Sequence, residues 1–282
     1  KAFLKKLALQ LIFADALARL YYATAPREIV KGEAGAIHRK FLERIAAEPA
    51  DFDSLLILLK RAVAEFNSLE MANAAIPVVG VLGEIYVKYN AFANNRIVEW
   101  LLEQGLEVRV PPLLSFFMQC FTNESFNQKV FLKRSLKDRI ACTLADHYAC
   151  HLLQRVETVM ESFRYYQESA GLRELAEETS RTVSLVNQAG EGWLLTAEMI
   201  AMLQCGVNHI VCVQPFGCLA NHITGKGVSR RLQQRYPRAN LLFLDMDAGH
   251  SEVNLLNRLH LLVAAAKENA GEMSDLRSQA HG

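Results

Sequence analysis

The sequence predicts an α/β fold: a small parallel sheet of four strands flanked by helices, with a helical lead-in at the N-terminus and a helical insertion. Three observations predict it. Four short apolar runs rich in Val, Ile and Leu end in glycine, proline or polar residues, the pattern of strands buried on both faces. Segments with helical spacing separate the runs, and parallel strands need such crossovers. The strand–helix style occurs twice, before residue 113 and after residue 187, with a long helical stretch between.

Residues 1 to about 75 read as helix throughout. Phe3, Leu7, Leu11, Ala14, Ala18 and Tyr21 recur at helical spacing, and Pro26 and Gly32 end that segment. Ala36 to Ala47 and Phe52 to Met71 continue in the same style, with Asp51 and Asp53 as caps. Ile76 to Leu82 is the first strand, ended by Gly83. A helix from about Ala91 to Gln104 stops at Gly105, and Glu107 to Val110 is the second strand, closed by Pro111 and Pro112. This unit implies a parallel pair with a right-handed crossover. Leu113 to about Asn187 reads as helices with breaks near Asn123 and Gly171. Leu194 to Gln204 is a helix ended by Gly206, Asn208 to Val213 the third strand, Ser229 to Tyr236 a helix ended by Pro237, Asn240 to Leu244 the fourth strand, and Val253 to Lys267 the last helix. The polar tail from Gly271 is expected to fray. The expected organisation is a helical lead-in over 1–75 that packs on the core, a Rossmann-like α/β domain over 76–270 with its insertion at about 113–187, and a flexible tail over 271–282.

Composition narrows the function classes. Of 282 residues, 51% are apolar and 22% charged, with a net charge of +1, so no basic excess points to nucleic acid or an anionic membrane. No uninterrupted apolar stretch reaches the ~18 residues of a membrane span. Gln10, Asp15 and Arg19 break the most apolar one, which also fails as a signal-peptide core. Six cysteines without framework spacing or a CxxC pair favour a reduced, cytoplasmic chain. The first residue is Lys1, so the chain is expected to begin inside a longer gene product or to be trimmed.

In open parallel sheets, sites form beyond the carboxyl ends of the strands. That rule selects the loops 83–90, 214–227 and 245–252. In the second, Pro215 and Gly217 bracket a tight turn that presents Cys218 near a helix start, where oriented N–H groups favour a thiolate. A thiolate suits an iron–sulfur ligand or a nucleophile, whereas a cysteine packed as a small hydrophobe serves neither. Cys205 and Cys212 read as core. Cys142 and Cys150 share a helical stretch with His151, without the second pair that a metal site needs. Gly225-Lys226-Gly227 could hold an anion, although the spacing is not that of a Walker motif. Glu84 and Tyr86 are ligand contacts or, equally, helix caps. Asp245, Asp247 and Glu252 are either cation ligands or an acidic loop capping the next helix, and His250 adds little. His222 follows Cys218 by four residues, a thiol–base spacing for acyl transfer, with no third group to orient the imidazole.

Four segments together resemble one family: Gly83-Glu-Ile-Tyr-Val-Lys-Tyr-Asn-Ala-Phe-Ala-Asn94, Gly190-Glu-Gly-Trp-Leu-Leu-Thr-Ala-Glu198, Gln214-Pro-Phe-Gly-Cys-Leu-Ala-Asn-His222 with Gly225-Lys-Gly227, and Asp245 through Asn257. The family is that of the large acyl-CoA dehydratase activase-related proteins, the CoA-substrate-specific enzyme activases or activators of 2-hydroxyglutaryl-CoA dehydratase. The matching segments span about 76–265. The resemblance implies a region like a 2-hydroxyacyl-CoA dehydratase subunit, joined elsewhere to actin-like ATPase domains that drive an electron to low potential. It implies a [4Fe-4S] or related iron–sulfur cluster with Cys218 as metal ligand. Pro215, Phe216 and Gly217 would shape its loop, Glu84, Tyr86 and Asn90 would form the opposite wall, and His222 would lie nearby. No ATPase phosphate loop occurs in this chain, and its enzymatic status stays open. Ala220 stands where the family motif is expected to carry proline, which changes loop stiffness more than chemistry. The expected partners are the ATPase domains of the same polypeptide or a dehydratase, with acyl-CoA and a second copy of the chain as further candidates and no nucleic acid or membrane. The alternative is a non-catalytic scaffold or assembly domain of the same large protein, without a cluster.

Overall fold

The computed structural model describes residues 2–47, 51–130, 136–168, 170–247, 249 and 251–280, with the backbone alone at residue 2 and over 272–280. The architecture is α/β. Four strands, β1 (Val78–Gly83), β2 (Glu107–Arg109), β3 (His209–Pro215) and β4 (Asn240–Met246), form one all-parallel sheet in the order β2-β1-β3-β4. β1 and β3 are central and almost wholly buried, which is why they are continuous apolar runs rather than alternating ones. Their register sets Leu82 opposite Cys212 and Gly83 opposite Val213, and β3 sets Gln214 opposite Asp245.

The chain divides into two compact units, residues 1–72 with 112–172, and residues 73–111 with 173–282. The first is helical: α1 (Ala2–Thr24), α2 (Glu33–Ala47), α3 (Phe52–Ser68), α6 (Leu113–Lys129) and α7 (Leu136–Met160). Its core joins Phe13, Leu17 and Leu20 of α1, Phe41 of α2, and Leu55, Leu59 and Phe66 of α3 to Val156 and Met160 of α7. Carboxylates order the helix starts. Asp51 accepts from Ser54 N at 2.9 Å to cap α3, Glu28 accepts from Gly32 and Ala34 N at 2.8 and 2.7 Å ahead of α2, and Asp15 accepts from Leu113 and Leu114 N at 3.1 and 3.0 Å at the start of α6. The lead-in and most of the insertion, separate in sequence, therefore share one core.

The second unit holds the sheet with α4 (Ile85–Tyr89), α5 (Ile97–Glu103), α8 (Leu172–Thr179, whose first residue belongs to the helical unit), α9 (Trp193–Gln204), α10 (Leu219–Thr224), α11 (Ser229–Arg235) and α12 (Glu252–Ala280). α9 is buried along nearly its whole length, and Leu195, Met199 and Leu203 pack against Leu82, Ile210 and Cys212 of the sheet.

Of the elements whose bounds differ from the sequence reading, three differ most, and a short helix, α4, also forms within the expected loop 83–90. The helix expected over 91–104 begins only at Ile97, because Asn95 and Arg96 take left-handed φ values of 53° and 55°. α6 runs unbroken through Asn123. α12 continues past Gly271 to Ala280. One glycine costs a helix only about 1 kcal/mol, and the residues beyond it include good helix formers.

Candidate functional site

The carboxyl edge of the sheet carries the sequence-selected residues. β3 ends at Pro215, whose carbonyl oxygen accepts from Cys218 N at 3.2 Å, and Gly217 takes φ +73° at the third position of that turn, as a type II turn requires. Cys218 is thereby set at the N-cap of α10, partly buried, while Phe216 and Leu219 on either side of it are about three-quarters exposed.

Two hydrogen-bond chains tie the loops together. Glu191 Oε1 accepts from Ile85 N at 2.7 Å, and its Oε2 accepts from Asn221 Nδ2 at 3.2 Å. Asn221 Nδ2 also donates to Cys218 Sγ at 3.1 Å. The loop after β1, the segment before α9 and the helix after the β3 turn thus meet at the Glu191 carboxylate, and Asn221 links it to the thiol. In the second chain, Gln214 Nε2 donates to Asp245 Oδ1 at 2.6 Å and lies 3.0 Å from His222 Nδ1. The Gln214 side chain thus bridges the imidazole of His222 and the carboxylate of Asp245. Gln214 and Asn221 are both fully buried, and the amide oxygen of each has no hydrogen-bond partner among the described residues. Such orphaned acceptors are costly and call for a specific explanation.

Beneath this edge lies buried charge. Lys88 Nζ stands 3.2 and 3.3 Å from the two carboxylate oxygens of Glu198, both residues being more than nine-tenths buried. Burial raises the Glu198 carboxyl above its ordinary range, and the Lys88 ammonium opposes that shift. Burial likewise pushes the Cys212 thiol up, against the pull of Lys88, and Glu198, Glu191 and Cys218 add to the rise. Cys212 is consequently a protonated core residue between Val211 and Val213.

The remaining predicted residues fall as follows. Glu84 caps α4, its Oε2 accepting from Val87 N at 2.9 Å. Tyr86 is mostly exposed. Asn90 ends α4, with Oδ1 accepting from Phe92 and Ala93 N at 3.0 and 3.1 Å. Lys226 lies in a short 3-10 turn. Of the acidic loop, Asp245 belongs to the Gln214 chain, Ser251 Oγ accepts from Asn254 N at the start of α12, and His250 lies outside the described residues. Cys205, expected in the core, is instead exposed, because it ends α9 at the amino edge of the sheet, and Cys120, Cys142 and Cys150 belong to the helical unit.

The sequence reading singled out neither Glu191, Gln214 nor Asn221, nor the Lys88–Glu198 pair. Gln214 was detectable as the first polar residue after an apolar strand. Glu198 stands in the middle of the otherwise apolar α9, and Glu191 precedes that helix.

An iron–sulfur cluster usually takes several cysteine ligands. This edge brings one exposed-side thiol, Cys218, and among the described residues no group of three or more His, Cys, Asp or Glu could hold a metal ion. Residues 83–90, 191 and 214–245 therefore do not complete a cluster by themselves. Among the described residues no helix is long and apolar enough to cross a membrane. Comparison of the chain with protein-family models, with the curated proteins and with the solved structures gave no match.

Proposed function

We propose that the α/β unit is the dehydratase-subunit-like, electron-transfer region of a cytoplasmic, ATP-dependent protein of the acyl-CoA dehydratase activase kind. Its part is to offer the Cys218 thiolate as one ligand of an iron–sulfur cluster whose other ligands come from outside the described residues. The observation that carries this reading is the Glu191–Asn221–Cys218 chain: hydrogen bonds link three resemblance-bearing segments, and Asn221 carries that link to the sulfur. An N–H donor to sulfur stabilises a thiolate and tunes any metal bound to it. The apolar side chains of Phe216 and Leu219 beside Cys218 suit a site closed by a second protein surface. Six free cysteines suit a reducing compartment. The cluster, once bound, would supply the redox chemistry, and this chain would supply position and hydrogen bonding.

The test is iron and acid-labile sulfide content after anaerobic reconstitution of the full-length polypeptide, wild type beside Cys218→Ser. Iron and sulfide bound by the wild type and lost in the variant are the expected result. Equal content in the two overturns the role of Cys218. A wild type that binds neither overturns the electron-transfer reading in favour of a scaffold region that assembles with the ATPase domains.

A further inference from the structure

We draw no further inference here: the strongest candidate, the exposed apolar ridge of Leu136, Ile140, Leu144 and Tyr148 along the N-terminal half of α7, carries nothing because nothing in the structure shows what covers it.

Discussion

Gly83 ends β1 at φ +136°, and a Cβ there would stand 1.8 Å from the carbonyl oxygen of Val213. That same oxygen accepts from Glu84 N at 2.9 Å, so the close approach is what turns the chain from the strand into the site loop. Gly83→Ala adds backbone strain and a clash with main chain that cannot swing aside, and is expected to cost about 2–4 kcal/mol. A urea midpoint within error of wild type would remove this account of the turn. Glu191 acts on a larger neighbourhood. Glu191→Ala strips the acceptor from both Ile85 N and Asn221 Nδ2. With unsatisfied donors costing about 1–3 kcal/mol each, the variant should lose about 2–6 kcal/mol. It should also alkylate Cys218 at a changed rate, because Asn221 is no longer held against the sulfur. A variant with wild-type stability and wild-type alkylation kinetics would show that the chain of hydrogen bonds neither orders the loop nor positions the thiol.

Among the elements, the strands were legible and the helical boundaries less so. β1 and β3 announce themselves because strands buried on both faces have few polar positions to blur the run, and Gly83 and Pro215 punctuate them, while β4, at the sheet edge and only partly buried, keeps the apolar run Leu241 to Leu244. The break between α4 and α5 was not legible, since left-handed turns at Asn95 and Arg96 leave little trace in hydrophobic spacing. Cys218 was found because turn residues flank it. Asn221, which donates to it, and Glu191, which accepts from Asn221, were not singled out, because the Asn221–Glu191 bond joins residues 30 apart and has no local signature. Contacts between helices also set a pH dependence. His38 of α2 stacks on Tyr21 of α1, with ring centroids 4.8 Å apart, and its burial lowers its pKa to about 4 from an ordinary 6.5. Above pH 6.5 the imidazole is neutral in folded and unfolded chains alike. As pH falls from 6.5 towards 4, only the unfolded chain takes up the proton, so stability is lost over that window. The wild-type denaturation midpoint should therefore drop more between pH 7 and pH 4.5 than that of His38→Phe, which keeps the stacked ring without the titration. Parallel losses in the two proteins would place the acid sensitivity in other groups.

Across the whole molecule the chain alternates between its two units, passing from the helical unit to the sheet unit at residue 73, back at 112 and across again at 173. The sequence showed the lead-in and the insertion as separate helical stretches. What unites them is long-range: Arg19 of α1 pairs with both carboxylate oxygens of Glu157 in α7, and Asp15 caps α6. Neither contact leaves a periodicity to read. Each unit has buried clusters of its own, one around Phe13, Phe41 and Phe66, the other around Leu82, Met199 and Leu232. Two cores give two cooperative transitions rather than one. Calorimetry on the intact chain should resolve two components. Phe41→Ala, which empties a fully buried position of the helical unit at a cost of about 3–5 kcal/mol, should lower one component and spare the other. Leu232→Ala, at a fully buried position under the sheet, should do the reverse. If both substitutions shift one common transition, the units unfold as a single cooperative body, and the hydrogen-bonded loops around Cys218 owe their order to the helical core as much as to the sheet.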